Sequence, residues 1–401
     1  MCTKGPAGLA LVGLAAFGLL VGSAGESTAA GASPAPVPTI GQLTACPPGS
    51  TPDEPGPVDQ ARPPQNSNAS VAFDRRAGRL VAFTSAETWT FDVCTNTWTQ
   101  QHPDQQPLGV DDWSLFVYDV DSDLTIAVDR NDGTVWAYDL QADTWTRKGN
   151  GPVAARHGAY DPLTGLVVAA TDADPVELWT YDAEADTWTP VHLGNEAPVP
   201  VPGGALAYDA SVDRFVWYGD GAGGSPPYET WLFDIRTGTW WRSAAERPAV
   251  VAWLTAPRMA YDESAGKTVV LLRNPVTAYD ATADRWEVLA EPEAIWPYPG
   301  RMVYDPVNRR LVGLGQTLGT PDIDVPPGGV EALDLVKGER RVLLAPIGGW
   351  QPPPSQPGQP TTSTAPSPAP GSDATLPLLA LVFAISMGLL LFAAGRRSAR
   401  N

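Results

Sequence analysis

Short apolar runs alternate along this chain with clusters of Gly, Pro, Asn and Asp, and the alternation itself recurs. Residues 89–100, WTFDVCTNTWTQ, return as WAYDLQADTWTR from Trp136, WTYDAEADTWTP from Trp179 and WLFDIRTGTWWR from Trp231. Within each stretch an aromatic residue is followed at once by Asp, and Trp stands seven residues after the aromatic. If the Asp and the residue five beyond it flank a four-residue loop, the aromatic and the Trp face each other across two antiparallel strands. Phe91 then faces Trp98, and Tyr181 faces Trp188. Trp89, two residues before Phe91, points to the same side.

The outer hairpins begin at Phe91, Tyr138, Tyr181, Phe233, Tyr279 and Leu333, with Asp92, Asp139, Asp182, Asp234, Asp280 and Asp334 as their turn carboxylates. A second series lies between them: Phe73, Tyr118, Tyr160, Tyr208, Tyr261 and Tyr304, each again followed by Asp. The fifth residue after the aromatic, the last of the loop, is Gly, Asn or Asp in every copy but one, where Arg309 stands. Those three residue types best tolerate positive φ. The Asp accepts hydrogen bonds from loop amides, an Asx-turn role. A carboxylate needed in every copy is a turn device, so the repeat is architecture and not chemistry.

Two hairpins make a four-stranded sheet, and the outer Trp98, Trp145, Trp188, Trp240 and Trp286 mark its recurrence; the sixth copy carries Arg340 there. Sheets of this period repeat around an axis as a propeller. The expected fold is all-β, a six-bladed β-propeller over residues 66–346, with blade 6 packed on blade 1. At this point the chain resembles the kelch family, the central domain of galactose oxidase included. The Tyr–Asp and Trp positions carry the likeness, with Arg156, Arg258 and Arg301 near the starts of inner strands. It departs from the family where Ala169–Ala170 and Leu271–Leu272 replace a paired Gly.

Composition agrees with a turn-rich β protein: Gly 39, Pro 42 and Trp 15 in 401 residues, with 18% charged. The ends differ from the body. The apolar run at residues 7–22 behind Lys4, followed by small residues, is the layout of a signal peptide, placed at 1–29. Residues 30–65 are Pro- and Ala-rich. Residues 347–375 read as a Pro/Ser/Thr stalk. The uncharged segment 376–395 is long enough to span a bilayer as a helix, and 396–401 is a basic tail that favours the cytoplasmic side. The expected location is the cell membrane, single-pass, with the propeller outside. The net charge of −19 suits neither nucleic acid nor an anionic lipid surface. Cys46 and Cys94, in an exported chain, are expected to form one disulfide.

Candidate chemistry is sparse. Asp119, Asp121 and Asp123 resemble the start of a calcium loop, but Leu124 and Arg130 replace the Gly and Glu that loop requires. No metal, catalytic or cofactor motif is found. Both turns of every blade fall on one face, and the variable links fall on the other, where binding residues usually sit. Trp113, Trp253 and Trp296 lie in these links, and His102, His157 and His192 are assigned to them too. His157, Arg258 and Arg301 stand three residues before Tyr160, Tyr261 and Tyr304, equivalent places from which they converge on an acidic group, with Trp253 and Trp296 beside them. Pairing of the arginines with neighbouring carboxylates is the alternative. Three functions fit: a surface-anchored module binding an extracellular protein or glycan; an extracellular carbohydrate-active enzyme, for which the kelch resemblance implies an oxidase or sugar-acid epimerase; or a passive envelope scaffold.

Overall fold

A computed structural model describes residues 45–64, 69–84, 86–111, 113–172, 177–192, 204–220, 228–246, 258–271, 276–290, 299–315 and 329–345. For Asp220, Tyr228, Arg258, Leu271, Ala290, Pro299 and Gly300 it describes the backbone alone. The segments read as signal peptide, stalk, membrane span and tail lie outside the described residues, as do Trp253 and Trp296.

The body is a six-bladed β-propeller. Blade 1 holds β1 (Ser70–Asp74), β2 (Arg79–Thr84), β3 (Glu87–Asp92) and β4 (Thr97–Gln101). Blade 2 holds β5 (Leu115–Asp119), β6 (Leu124–Val128), β7 (Thr134–Asp139) and β8 (Thr144–Asn150). Blade 3 holds β9 (Ala155–Asp161), β10 (Leu166–Thr171), β11 (Leu178–Asp182) and β12 (Thr187–Pro190). Blade 4 holds β13 (Ala205–Asp209), β14 (Arg214–Asp220), β15 (Tyr228–Asp234) and β16 (Thr239–Arg242). Blade 5 holds β17 (Arg258–Asp262), β18 (Lys267–Leu271), β19 (Val276–Asp280) and β20 (Arg285–Ala290). Blade 6 holds β21 (Pro299–Asp305), β22 (Arg310–Gly315), β23 (Val330–Asp334) and β24 (Glu339–Leu344). Each blade is one antiparallel four-stranded sheet in sequence order. The inner strands lie side by side from β1 through β5, β9, β13 and β17 to β21, which returns to β1 and closes the ring.

The turns follow the spacing. All twelve loops place their last residue at positive φ, including Asn96 at 54°, Asp143 at 48°, Gly165 at 70° and Arg309 at 58°. Each turn Asp accepts loop amides, as Asp92 does from Cys94 at 2.9 Å and Asp305 from Val307 at 3.0 Å. A further tie was not anticipated. Five tyrosines donate their hydroxyl to the Asp that closes their own loop: Tyr118 to Asp123, Tyr138 to Asp143, Tyr181 to Asp186, Tyr208 to Asp213 and Tyr279 to Asp284, at 2.7–2.8 Å. The closing Asp therefore both tolerates the left-handed backbone and holds the ring of the strand before it.

Trp pairs directly across from the aromatic in five outer hairpins, with ring centroids 4.6–5.2 Å apart. In blade 6, Leu333 faces Arg340 instead. Arg340 forms a two-pronged pair with buried Glu331, both bonds at 2.8 Å. A second device repeats in three blades, where Glu two residues before a Trp accepts its indole N–H: Glu87 from Trp89, Glu177 from Trp179 and Glu229 from Trp231.

The core does not sit in one centre. Six apolar clusters fill the six seams between neighbouring blades, the seam from blade 6 to blade 1 included. Removing such side chains from water is the main favourable term. Polar bonds add register. Trp145 of blade 2 donates to Thr88 of blade 1 at 2.8 Å, and Trp286 of blade 5 donates to Thr230 of blade 4 at 3.1 Å.

Residues 45–64 have no regular secondary structure, yet they pack across the closing seam. The expected Cys46–Cys94 disulfide is formed, with Cα atoms 5.4 Å apart.

Candidate functional site

All six inner strands line one axial channel of about 670 Å³. Its wall is layered because the strands share one register. Two residues before each inner Asp come Ala72, Val117, Ala159, Ala207, Ala260 and Val303, a belt of small apolar side chains. Two positions earlier stand Ser70, Leu115, His157, Ala205, Arg258 and Arg301. The channel thus passes from a polar mouth on the variable face through an apolar belt to the tyrosines and turn carboxylates.

The register brings His157 and Arg301 to the channel from opposite blades. Arg258 occupies the same level in the backbone, opposite Leu271; its side chain lies outside the described residues. One placement is corrected. His157 lies within β9, not in a blade-to-blade link, because β9 begins at Ala155. His192 does follow β12, but it lines a separate surface pocket beside the β15–β16 turn.

Local irregularity aims the mouth residues. In β9 the register slips so that Thr171 faces Ala155 and Ala170 faces His157, leaving Arg156 as the extra residue of a bulge. In β21 the same slip leaves Gly300 extra, directly before Arg301. A bulge bends its strand and re-aims the neighbouring side chain.

The bulge sends Arg156 and His157 into different seams. Arg156 is buried and stacks on Trp113, its guanidinium carbon 3.7 Å from the ring centroid. A cation so placed over an indole gains about 2 kcal/mol when desolvated. Trp113 is itself held, since its backbone N–H donates to Asp111 at 2.9 Å. His157 turns the other way, edge-on to Trp217 with centroids 5.8 Å apart. Trp217 fits because Gly204 lies beneath it: a Cβ there would come within 2.0 Å of the indole.

Asp172 joins the two. Its carboxylate meets Arg156 at 2.6 Å and His157 Nε2 at 3.5 Å. Burial, with the positive charges of Arg156 and Arg301 adding to it, pushes His157 down to about 4. The imidazole is therefore neutral at pH 7. Burial alone would raise Asp172, but the neighbouring His157 imidazole and the hydrogen bond and positive charge of Arg156 outweigh it and hold the carboxylate at about 2. The mouth presents a carboxylate already engaged, a neutral imidazole and two guanidinium groups.

Burial also lifts the inner turn carboxylates Asp74, Asp119, Asp209, Asp262 and Asp305, Asp74 to about 6. A perturbation repeated around the ring follows from the turn's burial and marks no single reactive centre. Among the described residues no group of three or more His, Cys, Asp or Glu is arranged to hold a metal ion.

Sequence reasoning missed Asp172 and Trp217 as parts of this site. Trp217 had a legible signal, because its column holds Ala82, Ala127 and Ala169 in the first three blades. Asp172 had none, since it reaches the site only through strand pairing.

No protein-family model and no curated protein matches the sequence. Among solved structures the chain is similar to a structural genomics protein of unknown function from Bacteroides thetaiotaomicron, with TM-score 0.47, 14% identity, and coverage of 69% of this chain and 72% of that one. It is also similar to an auxiliary nutrient binding protein from the same organism, with TM-score 0.44, 12% identity, and coverage of 62% and 66%.

Proposed function

We propose that this chain is a kelch-like binding module, anchored to the cell membrane through residues 376–395 and holding its propeller outside on the 347–375 stalk. Its ligand is an extracellular protein or glycan that presents an acidic group to the channel mouth. The observation that carries the reading is the register that brings His157 and Arg301 to one channel from opposite blades, with Arg156 and Asp172 behind His157. In a chain of net charge −19, guanidinium groups gathered at one opening favour an anionic group there over the rest of the surface. Guanidinium also matches carboxylate geometry.

The test is an acidic-glycan array probed with the full-length protein. Arg258→Ala and Arg301→Ala are each expected to lower binding at least about tenfold, the loss of one charge-assisted contact. Binding that is unchanged in both variants removes the mouth from the reading.

A further inference from the structure

Three of the six seams share a fastening that the closing seam lacks, as do the seams into blades 4 and 6, whose outer loops close on Gly238 and Gly338. At or just past the end of the fourth strand of blades 1, 2 and 4, a backbone N–H donates to the loop-closing Asp of the next blade: His102 to Asp143 at 3.0 Å, Gly149 to Asp186 at 3.0 Å and Ala244 to Asp284 at 3.1 Å. Blade 1 would have to supply this acceptor to blade 6. At that position it carries Asn96, and the Asn96 side chain is turned elsewhere. Its amide donates to Pro52 O at 2.9 Å and Glu54 O at 2.7 Å.

Residues 45–64 complete the connection. Gly56 N–H donates to Leu343 O at 2.8 Å, and Arg62 donates to Ala345 O at 2.9 Å, both acceptors at the end of β24. Buried Arg310 of blade 6 reaches back to Pro52 O at 3.0 Å and to Asp53 at 3.1 Å. The segment lies so close to blade 1 that a Cβ on Gly56 would stand 1.9 Å from Asn96 O. Its beginning is tied covalently to the β3–β4 turn by Cys46–Cys94.

We propose that residues 45–64 are a strap that latches the ring at its closing seam, and that the Cys46–Cys94 disulfide makes this latch responsive to reduction. A dithiol reductant attacks the bond as a thiolate. The S–S bond breaks, and the reductant leaves as its own disulfide. Two electrons pass to the cystine, and both cysteines end as protonated thiols. The strap is then held without a covalent tie, by hydrogen bonds, packing and the Arg310–Asp53 ion pair, and it separates from Asn96 and β24 through local opening rather than global unfolding. Blades 2, 3 and 4, which the strap does not touch in these bonds, keep their structure.

Hydrogen exchange of the full-length protein, with and without dithiothreitol under native conditions, tests this. Reduction, verified by alkylation of both thiols, is expected to speed exchange at Gly56 and in β24 by at least about tenfold, with blades 2–4 unchanged. Gly56→Ala, with the disulfide intact, is expected to do the same at the seam. Unchanged protection at the seam after verified reduction overturns the proposal. So does equal acceleration in all six blades, which would make the bond a global stabiliser. If the Gly56 variant does not fold, the reduction experiment decides alone.

Discussion

Arg309 holds φ at 58° in the one loop of twelve that closes without Gly, Asn or Asp. A Cβ-bearing residue in this region costs about 1–2 kcal/mol, and Gly removes that cost while adding freedom to the unfolded chain. Arg309→Gly is therefore expected to raise unfolding stability by about 0.5–1 kcal/mol, read from urea midpoints at constant slope. A lowered midpoint would mean that the arginine side chain contributes more than its backbone strain removes. At the mouth, His157 makes a pH prediction. Its folded pKa, about 4, lies below that of the unfolded chain. Between pH 6.5 and 4 the unfolded chain takes up a proton that the buried imidazole refuses, so stability falls as pH drops and is unaffected above that window. From pH 7 to 4.5 the wild type is expected to lose up to about 3 kcal/mol more than His157→Gln, in which Arg156 still holds Asp172 low. Parallel pH profiles would refute it.

Within the elements, aromatic–Asp–Trp spacing was enough to read the hairpins. A fixed separation of seven residues leaves one way to pair two strands around a four-residue loop, and the register of Phe91 with Trp98 follows it. The same spacing is blind to the bulges at Arg156 and Gly300, because an extra residue before the repeat alters no interval inside it. It is equally blind to bonds between blades. Thr88 takes the Trp145 indole and donates to Gln106 at 2.7 Å. Thr88→Val keeps the shape and strands both partners, so a loss of about 1–3 kcal/mol is expected in denaturant unfolding. Blade 2 offers a natural comparison. Val135 occupies the equivalent place, and the indole nitrogen of Trp188 finds no hydrogen-bond partner among the described residues. If Thr88→Val unfolds at the wild-type midpoint, the seam does not depend on that bond.

The six-fold repetition was legible at the scale of the whole molecule because each sheet announces itself twice, once per hairpin. The candidate site was legible only in part. His157 and Arg301 were found from their shared distance to a Tyr–Asp pair, which is a statement about register. Asp172, Trp113 and Trp217 come from a strand exit, a link and a neighbouring blade, and only the packing of blades 2, 3 and 4 against one another brings them together. The turn-face end of the axis has its own consequence. Arg75 of blade 1 and Glu263 of blade 5 both line the channel and pair there. A polymer threaded through the axis would have to part those two charges, whereas a chain terminus entering from the opposite side would not. For the proposed ligand, binding at the variable-face mouth should therefore favour tips over interiors, so that one long glycan would offer as many targets as it has free ends.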